Sequence, residues 1–549
     1  MRIKLVLLAG IVALAGSASA QPTVAAVVNA AKYGIQGLPG YGVAQGSLAT
    51  AFGTGFPAEG KQVTSLPLTT TWEGVSIKIT VNSVSVDAYP LIMQGVNQLS
   101  FIVPSDTPVG DGNITITVNG VPSPPGPIRV LARNFGAFTK NFSGQGAGVL
   151  LDPTGAHANG LTYAANPGEM FDIWGTGLGR VDPTTEAAAP SPGDIANTQV
   201  TVTVGGKPAT VNYKGRSGCC IGLDQVRITV PSGITGCYVP VMVSTGDGVS
   251  NSFTMAIAAS GRVCSDSTGL STDLVNAIAN GGTFRYGGVQ LTRATENLSF
   301  GGLTISSTTD TGSGIFEKYD FSKLSNSSTG IGLQPFGSCY VYTFSGQAAL
   351  PTDITKPTPL DAGAQLSLSG PNGTKSLPKD TTSGFYSATL STPGGLTGGG
   401  TGWLDPGTYT VTGPGGADVS AFTSTLTLPS PELTWTNMSS ITTVVRSAGQ
   451  LVTWSGGDPN GYISIVGFST ISTPQAAGAG FLCTAKVSDQ SFTIPPEVLL
   501  AIPASPSDIT QGLGFLSVGA SVGVPFSATG IDQGYFSSTV SAAETVTYQ

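Results

Sequence analysis

The residues of this chain whose type and spacing indicate definite chemistry are its cysteines. There are six of them: Cys219, Cys220, Cys237, Cys264, Cys339 and Cys483. An even number of cysteines is typical of disulfide bonding when a chain is exported. Adjacent side chains of an extended strand point to opposite faces. We therefore predict that Cys219 and Cys220 are cross-linked to Cys237 and Cys264 in one of the two possible arrangements, which leaves Cys339 and Cys483 available to pair with each other.

Metal binding is the alternative role for these residues. A four-thiolate zinc site needs paired C-x2-C spacing and a reducing compartment, and no C-x2-C string is present. Calcium is a second alternative, because Asp111, Asp247 and Asp458 lie in turns that contain glycine or asparagine, but the chain has no D-x-D-x-D-G string. We favour disulfides and predict neither a bound metal nor a cofactor.

Residues that would support catalysis are few. His157 is the single histidine, in a loop rich in glycine and asparagine, where an exposed residue is the simpler interpretation. Gly519-Ala-Ser521-Val-Gly523 fits the G-x-S-x-G string of a nucleophile elbow, but such a serine needs a strand-turn-helix setting and a later histidine, and none follows. Paired carboxylates for glycoside hydrolysis cannot be located from nine glutamates. The sequence thus predicts no catalytic residue.

A duplication organises the N-terminal half. The stretch from Gly46 to Phe56 is echoed from Gly168 to Leu178, with the string Gly-Thr-Gly in register in both. Glycine accepts the positive φ of a sharp turn. We therefore interpret four residues as structural turn glycines: Gly53, Gly55, Gly175 and Gly177. A phosphate-binding loop would need a following helix, and no helical pattern follows either copy.

The surrounding pattern is one of short alternating strands separated by Gly, Pro, Asn and Asp, as in Val75 to Val81. It predicts an all-β chain of tandem immunoglobulin-like β-sandwich domains with one short linking helix near residues 271–279. The predicted units are an immunoglobulin-like repeat at 21–133, a second with disulfides at 134–264, a helical linker at 265–282, a β-sandwich at 283–430 and an immunoglobulin-like β-sandwich at 431–549.

The N-terminal residues and the composition indicate where the protein acts. Arg2 and Lys4, the apolar run after them and Ala18-Ser-Ala20 form a signal peptide over residues 1–20, so the mature chain should begin at Gln21. No later stretch is long and apolar enough to predict a transmembrane helix. Charged residues make up 10% of the chain, the net charge is −8 and no basic run is present, which argues against a nucleic-acid partner. We predict a secreted or cell-surface protein.

Three features of the N-terminal half resemble a known family. They are the two Gly-Thr-Gly strings, the Gln-(x)4-Val-Pro-Ser strand ends beginning at Gln98 and Gln225, and the closing strand from Ser250 to Ile257. Over residues 24–264 the chain resembles the tandem immunoglobulin-like repeat of secreted acidobacterial proteins, related to the TIG (IPT) domain of cell-surface proteins. The resemblance implies an exported immunoglobulin-like fold and no catalytic residues.

Two functions are compatible with these observations. The first is a non-catalytic platform for binding or adhesion, or an extracellular spacer, whose partner is an unknown extracellular ligand such as a polysaccharide or a surface protein. The alternative is a secreted carbohydrate-active or other hydrolytic enzyme with its catalytic module in residues 283–549. Two facing carboxylates in a cleft of that half would favour the enzyme, and plain sandwiches would favour the platform.

Overall fold

A computed structural model describes residues 21–180, 186–195, 197–246, 248–266, 272–300, 303–321, 336–345, 357–392, 402–506 and 508–549. The predicted signal peptide, Ser271 and Asp247 lie outside these ranges. Strands dominate the described residues, and only two short α-helices occur among them. The predicted all-β fold class with a short helix is confirmed.

The first repeat contains eleven strands. Eight of them form one hydrogen-bonded path, β1-β3-β8-β7-β6-β9-β11-β2, and β4, β5 and β10 are attached at its sides. They are Thr23–Asn29 (β1), Val43–Ala44 (β2), Leu48–Thr54 (β3), Lys61–Gln62 (β4), Thr71–Trp72 (β5), Val75–Val81 (β6), Val84–Met93 (β7), Gln98–Ile102 (β8), Gly110–Val118 (β9), Val121–Pro122 (β10) and Gly126–Leu131 (β11).

Strand β7 connects the two layers of this sandwich. Its first half pairs with β6 and its second half pairs with β8, with an irregular register between Pro90 and Ile92. The alternation seen in the sequence explains the core: in β6 the side chains of Val75, Ile77 and Ile79 are buried, while those between them face outward. The apolar face of each layer is thereby buried against the other.

The second repeat has the same arrangement, with the path β12-β14-β18-β17-β16-β19-β20 and with β13 and β15 at its sides. Its strands are Gly136–Ala137 (β12), Leu150–Leu151 (β13), Met170–Thr176 (β14), Gly193–Asp194 (β15), Thr201–Val204 (β16), Lys207–Arg216 (β17), Asp224–Thr229 (β18), Gly236–Ser244 (β19) and Phe253–Ile257 (β20). Strand β17 pairs with β16 and then with β18, as β7 does in the first repeat. The duplication is therefore one of topology as well as of sequence.

A short helix, α1 (Thr272–Ala279), follows the second repeat within the predicted linker. Val275 of this helix is fully buried against the second repeat, in a small cluster with Tyr238 and Ala258. The helix is therefore packed onto the domain that precedes it.

The C-terminal half contains four sheets. Its first strands are Thr283–Phe300 (β21), Leu303–Asp320 (β22), Ser338–Ser345 (β23), Thr358–Pro359 (β24), Gln365–Gly370 (β25), Gly373–Pro378 (β26), Tyr386–Thr389 (β27), Gly407–Gly413 (β28) and Phe422–Leu428 (β29). The later elements are Thr434–Trp435 (β30), Thr443–Val444 (β31), Gln450–Ser455 (β32), Tyr462–Ile471 (β33), Ala477–Lys486 (β34), Ser491–Ile494 (β35), helix Pro496–Leu500 (α2), Gly514–Phe526 (β36), Gln533–Thr545 (β37) and Thr547–Tyr548 (β38). Four 3-10 helices lie at Met438–Ser440, Arg446–Ala448, Val487–Asp489 and Ile509–Gln511.

One nine-stranded sheet, β23-β34-β33-β36-β37-β21-β22-β24 with β27 beside β22, extends through the whole C-terminal half. The predicted boundary between 283–430 and 431–549 is therefore wrong as a division between sheets, because both segments contribute strands to it. The link is the parallel pairing of β21 with β37, next to which the Arg285 amide donates to Asp532, 247 residues later. Alternation along a strand specifies its faces and not its partner, so the sequence could not indicate this pairing.

Two smaller layers cover one face of the nine-stranded sheet. The four-stranded sheet β26-β25-β28-β29 packs over one end, around Phe316, Tyr409 and Phe536. The three-stranded sheet β30-β32-β35 packs over the other end, around Trp454 and Phe481. The C-terminal half is thus a double sandwich that shares one long layer.

Both N-terminal repeats contribute a side chain to the second of these cores. Leu38 of the first repeat and Met242 of the second are buried with Cys339 and Val341 of β23. The repeats are therefore packed against the double sandwich.

Candidate functional site

The cysteines form three disulfides: Cys219–Cys220, Cys237–Cys264 and Cys339–Cys483. The last joins directly opposed residues of β23 and β34, within the nine-stranded sheet. The described residues contain no free cysteine.

The predicted cross-links from Cys219 and Cys220 to Cys237 and Cys264 are wrong. The two neighbours are bonded to each other, and they lie in a bend after β17 instead of in a strand. The argument from opposite faces holds only for extended backbone. Gly218 and Gly222 flank the pair, and they are the sequence signal that indicated a turn here.

The Gly-Thr-Gly strings have a structural role that differs between their two glycines. Gly55 and Gly177 have the positive φ predicted for them, at 75° and 107°. Gly53 and Gly175 were also interpreted as turn glycines, but they lie inside β3 and β14 and do not have positive φ. A side chain on either would overlap a neighbouring carbonyl oxygen, that of Thr23 or of Gly136. They permit close approach of a neighbouring strand and do not form the turn.

The second string also joins the two repeats. The Thr176 hydroxyl accepts from the Leu48 amide at 2.9 Å and donates to the Gly222 carbonyl at 2.7 Å. The Asn29 amide group donates to the carbonyl oxygen of Thr176 at 3.1 Å. These bonds fix the first repeat on the second, and no helix follows either string among the described residues.

A buried carboxylate stabilises the loop that follows the second Gly-Thr-Gly string. Asp224 is completely buried, and one of its oxygens accepts from the amides of Gly177 and Leu178 at 2.7 Å each. Its other oxygen accepts from the Arg216 guanidinium, which also donates to the Gly179 carbonyl at 2.8 Å. A buried carboxylate with this many donors stabilises a loop, and removing one of its partners would be costly.

The residues considered for catalysis lie far from one another in the fold. His157 is exposed in its loop, where its Nδ1 atom is 2.8 Å from Asp152 Oδ2 and its ring stacks on Tyr163. Ser521 lies within β36, and its hydroxyl is hydrogen-bonded to that of Thr539. That setting is a sheet and not a nucleophile elbow.

The turn aspartates show ordinary local roles. Asp458 accepts from the Asn460 amide at 2.9 Å, and Asp111 lies in β9. The described residues contain no group of three His, Cys, Asp or Glu side chains placed to hold a metal ion.

One carboxylate cluster lies in the C-terminal half, around Arg293 of β21. Asp310 is fully buried and accepts two bonds from this guanidinium at 2.9 Å, while Glu432 accepts a third at 3.1 Å. Although burial opposes it, Arg293 together with the amides of Trp403 and Leu404 holds the pKa of Asp310 below its ordinary value. A general acid needs a raised pKa, so this cluster is organised as a structural ion pair.

Glu544 of β37 is the carboxyl group with the opposite behaviour. Burial raises its pKa to about 7, and its Oε1 atom is buried without a hydrogen-bond partner. It lies on the covered face of the sheet, opposite Leu516 of β36. Burial is the cause of this shift, and among the described residues no other carboxylate contributes to it, whereas hydrolysis would use a second one.

The opposite face of the nine-stranded sheet carries aromatic side chains, and we call it the aromatic face; the second repeat covers it at Tyr340, whose hydroxyl accepts from the Gly146 amide. Directly opposed residues of neighbouring strands share a face, as do alternate residues of one strand. By the register of the sheet, this face includes the buried rings of Phe284 and Tyr340 and the ring of Tyr319. It also includes seven partly exposed rings: Tyr286, Tyr342, Phe344, Tyr462, Phe468, Phe515 and Tyr535. All seven are at least partly exposed, with Phe344 at 36%, and none belongs to a hydrophobic core of the described residues.

Several of these rings lie flat on the sheet because the position beneath them is glycine. A Cβ on Gly480 would be 2.7 Å from Tyr342 Cζ, one on Gly523 would be 2.5 Å from Tyr535 Cε1, and Gly288 and Tyr286 are related in the same way. A ring that touches the backbone is folded down and presents its other side outward. Glycine is therefore what makes these parts of the face flat.

Many of the remaining positions between the rings are small and hydroxylic, although Glu317 lies directly opposite Tyr286 and Val466 is paired with Leu482. The hydroxylic positions include Ser464, Ser517, Ser521, Ser537, Thr539, Ser541 and Thr292. Burial raises the pKa of Tyr286, with smaller contributions from nearby Tyr535 and Tyr462, so the Tyr286 hydroxyl stays protonated at neutral pH. Phe468 and Phe515 stack with ring centroids 5.0 Å apart. The face combines aromatic area with many neutral hydrogen-bonding groups.

Sequence reasoning missed the aromatic face. Its seven partly exposed rings come from five strands, β21, β23, β33, β36 and β37, and the glycines of β34 lie between them. Only the pairing of those strands brings the rings together. A partial signal was present, since Tyr342 and Phe344 alternate along β23 with residues that face the core.

Comparison with known proteins gives no family. No family model matches the chain, and no curated protein matches it. Among solved structures, this chain is similar to SGBP-B of the Bacteroides ovatus mixed-linkage glucan utilization locus, which was solved in complex with a mixed-linkage heptasaccharide. The TM-score is 0.19 and the sequence identity is 12%, and the match covers 41% of this chain and 45% of that one. The chain thus spans less than half the length of that protein.

Two further similarities are equally distant. Domains 5-6 of the S-layer protein SbsC match with TM-score 0.17 and 14% identity over 43% of this chain and 98% of that one. Immunoglobulin domains 1-5 of Sidekick-1 match with TM-score 0.11 and 11% identity over 96% and 100%. At such scores these similarities carry no conclusion about function, and the fold rests on the strands and sheets described above.

Within the described ranges, neither helix has the length and apolar character needed to traverse a bilayer.

Proposed function

We propose that this protein is a non-catalytic, extracytoplasmic binding protein, and that its aromatic face takes a polysaccharide chain. The two N-terminal repeats act as a stem that holds the double sandwich. The observation that carries the proposal is the aromatic face, where rings lie flat over Gly288, Gly480 and Gly523.

The chemistry of a neutral sugar chain complements this surface. A pyranose ring has an apolar side of C–H groups and a rim of hydroxyls. Flat aromatic rings offer large apolar area at little cost in conformational entropy, while Ser, Thr and Tyr hydroxyls both donate and accept hydrogen bonds. Rings repeated along a flat surface suit a polymer better than a small molecule, which prefers a concave pocket.

The hydrolase alternative has less support. The carboxylates gathered near Arg293 are bound by that residue and by backbone amides, and Glu544 has no carboxylate partner acting on it. Three disulfides and the predicted signal peptide favour an oxidising compartment outside the cytoplasm for either function.

The test is binding of the mature protein to insoluble polysaccharides and to a glycan array. We expect Phe468→Ala and Tyr535→Ala to weaken binding to a retained polysaccharide at least tenfold, since stacking on one ring is lost in each. Phe142→Ala is the matched control, because Phe142 is 71% exposed but lies in the second repeat. Salt should have little effect, as the face relies on neutral groups.

Equal binding by the face variants and the control would refute the assignment of the site. Binding to a surface protein but to no glycan would refute the ligand class. Release of reducing ends from any bound polysaccharide would favour the hydrolase instead.

A further inference from the structure

A partly open cavity of about 360 Å³ lies where the second repeat meets the linker helix. Its walls come from the loop of residues 158–163, from Tyr238 and Thr254 of the second repeat, from the end of α1 and from Phe321 beyond β22. The volume is at the lower end of the range for small-molecule sites. Unlike the aromatic face described above, the cavity is lined by a lysine, Lys140, together with the polar side chains of Asn159 and Thr254.

The frame of this cavity is rigidly held. The side chain of Asn159 forms two hydrogen bonds with the backbone of Ala256, each 2.8 Å long. The disulfide Cys237–Cys264 anchors a second wall, because Cys237 lines the cavity. A site held in this way is formed before a ligand arrives, which reduces the entropy cost of binding.

Tyr163 is fixed from its outer side by a polar chain. His157 stacks on its ring with centroids 4.4 Å apart, and the Arg262 guanidinium lies 4.6 Å from the ring centroid. Arg262 is itself held by two bonds to Glu169, at 2.7 and 2.8 Å. The charged side chains of Arg262 and Glu169 are therefore paired with each other outside the cavity.

Lys140 is different, because its charge has no such partner. Its Nζ atom donates to the Asn159 carbonyl at 2.5 Å, and among the described residues no carboxylate lies within ion-pair distance of it. Burial lowers the pKa of Lys140, and no acidic group contributes to offset that shift. A desolvated ammonium without a counter-charge is unfavourable, and a charge-assisted bond to an anion would relieve it.

A second unsatisfied group lines the same space. Thr254 is 1% exposed, and its hydroxyl is buried without a hydrogen-bond partner in the described structure. Buried hydroxyls are nearly always paired. A ligand that brings both a carboxylate and hydroxyls would supply what each group lacks.

We propose that this cavity is a binding site for a small hydroxylated carboxylate, with Lys140 as the residue that pairs with the carboxylate group. The site does not depend on the polysaccharide function proposed above. It is a separate pocket with its own residues.

The experiment uses the full mature chain and isothermal titration with D-glucuronate, lactate and succinate, with D-glucose as the neutral counterpart of the first. We expect at least one carboxylate to bind and glucose to bind at least tenfold more weakly than glucuronate. Lys140→Met should weaken carboxylate binding at least tenfold, whereas Lys140→Arg, which keeps the charge, should retain most of it.

Two further variants separate binding from folding. Lys214→Met is the matched control, because Lys214 lies in the same repeat and also donates to a backbone carbonyl at 2.5 Å, that of Thr198. It should bind as the wild type does. Thr254→Val keeps the shape of the side chain and should weaken binding of the hydroxylated ligands more than that of succinate.

The proposal is overturned if no carboxylate binds to the wild type, or if glucose binds as well as glucuronate. It is also overturned if Lys140→Met, shown by circular dichroism to be folded, binds carboxylates as the wild type does. If only Lys140→Met fails to fold, the comparison of Thr254→Val with Lys214→Met decides.

Discussion

Lys32 should make the stability of this protein depend on pH in a direction opposite to that of most lysines. Its Nζ atom lies against Gly40, where an added Cβ would be 2.7 Å away, and it contacts the Val249 carbonyl of the second repeat at 3.4 Å. In the part of the chain that the structure describes, no carboxylate forms an ion pair with it, and burial lowers the pKa of Lys32 from 10.5 to about 7. Folding therefore disfavours its charged form.

The sign and size of the effect follow from that shift. Below pH 7 the Lys32 ammonium is charged in both the folded and the unfolded protein, so the full cost of burying the charge lowers stability. Between pH 7 and about 10.5 the folded protein has lost this proton while the unfolded protein retains it, so the free energy of unfolding rises with pH. A difference of 3.5 units corresponds to at most about 5 kcal/mol. Because the stem of the side chain keeps some exposure, we expect roughly 2 kcal/mol.

Replacing Lys32 by Met removes the charge and keeps much of the apolar stem. We expect Lys32→Met to be more stable than the wild type at pH 6.5 and to lose most of that advantage by about pH 10.5, as measured by calorimetric melting across this range. Lys78→Met is the control, since Lys78 is exposed and paired with Asp87 at 2.7 Å. Parallel profiles for the wild type and Lys32→Met would refute a charge penalty at this position.

Three other outcomes can be measured on the same protein. Gly177→Val should lower the melting temperature of the repeats by an amount equivalent to about 1 kcal/mol or more, because a β-branched residue is strained at positive φ and would overlap a carbonyl oxygen. Gly55→Val should destabilise the protein less, since Gly55 does not lie at the junction of the repeats. Equal destabilisation by the two substitutions would contradict this reasoning. Non-reducing peptide mapping should recover Cys219 and Cys220 joined within one peptide, and a cross-link from either to another cysteine would be contrary evidence. Intact mass of exported protein should correspond to a chain that begins at Gln21, whereas retention of residue 1 would count against export.

The local features of the fold were accessible from the sequence. Period-two alternation identified the strand at Val75–Val81, and apolar spacing identified the helix now seen at Thr272–Ala279. The repeated Gly-Thr-Gly strings identified the duplication and the positive φ of Gly55 and Gly177. These features depend on interactions between residues close in sequence.

Features that depend on distant pairing were not accessible. The pairing of Tyr286 with Gln533 in a parallel ladder, which merges two predicted domains, leaves no mark on either strand alone. The same holds for Phe468 and Phe515, whose stacking exists only because β33 and β36 are neighbours. The cavity beside Lys140 likewise requires a helix and a loop that the sequence separates widely.

The parallel ladder of β21 and β37 gives the C-terminal half a mechanical property. The two strands run side by side from the pair Tyr286–Gln533 to the pair Asn297–Glu544. Tension between the start of β21 and the end of β37 would pull the two strands in opposite directions along their length. In that shear geometry all the hydrogen bonds of the ladder bear load together, whereas peeling would break them one at a time. A protein held at a surface while it grips a polymer would gain resistance to drag from this arrangement.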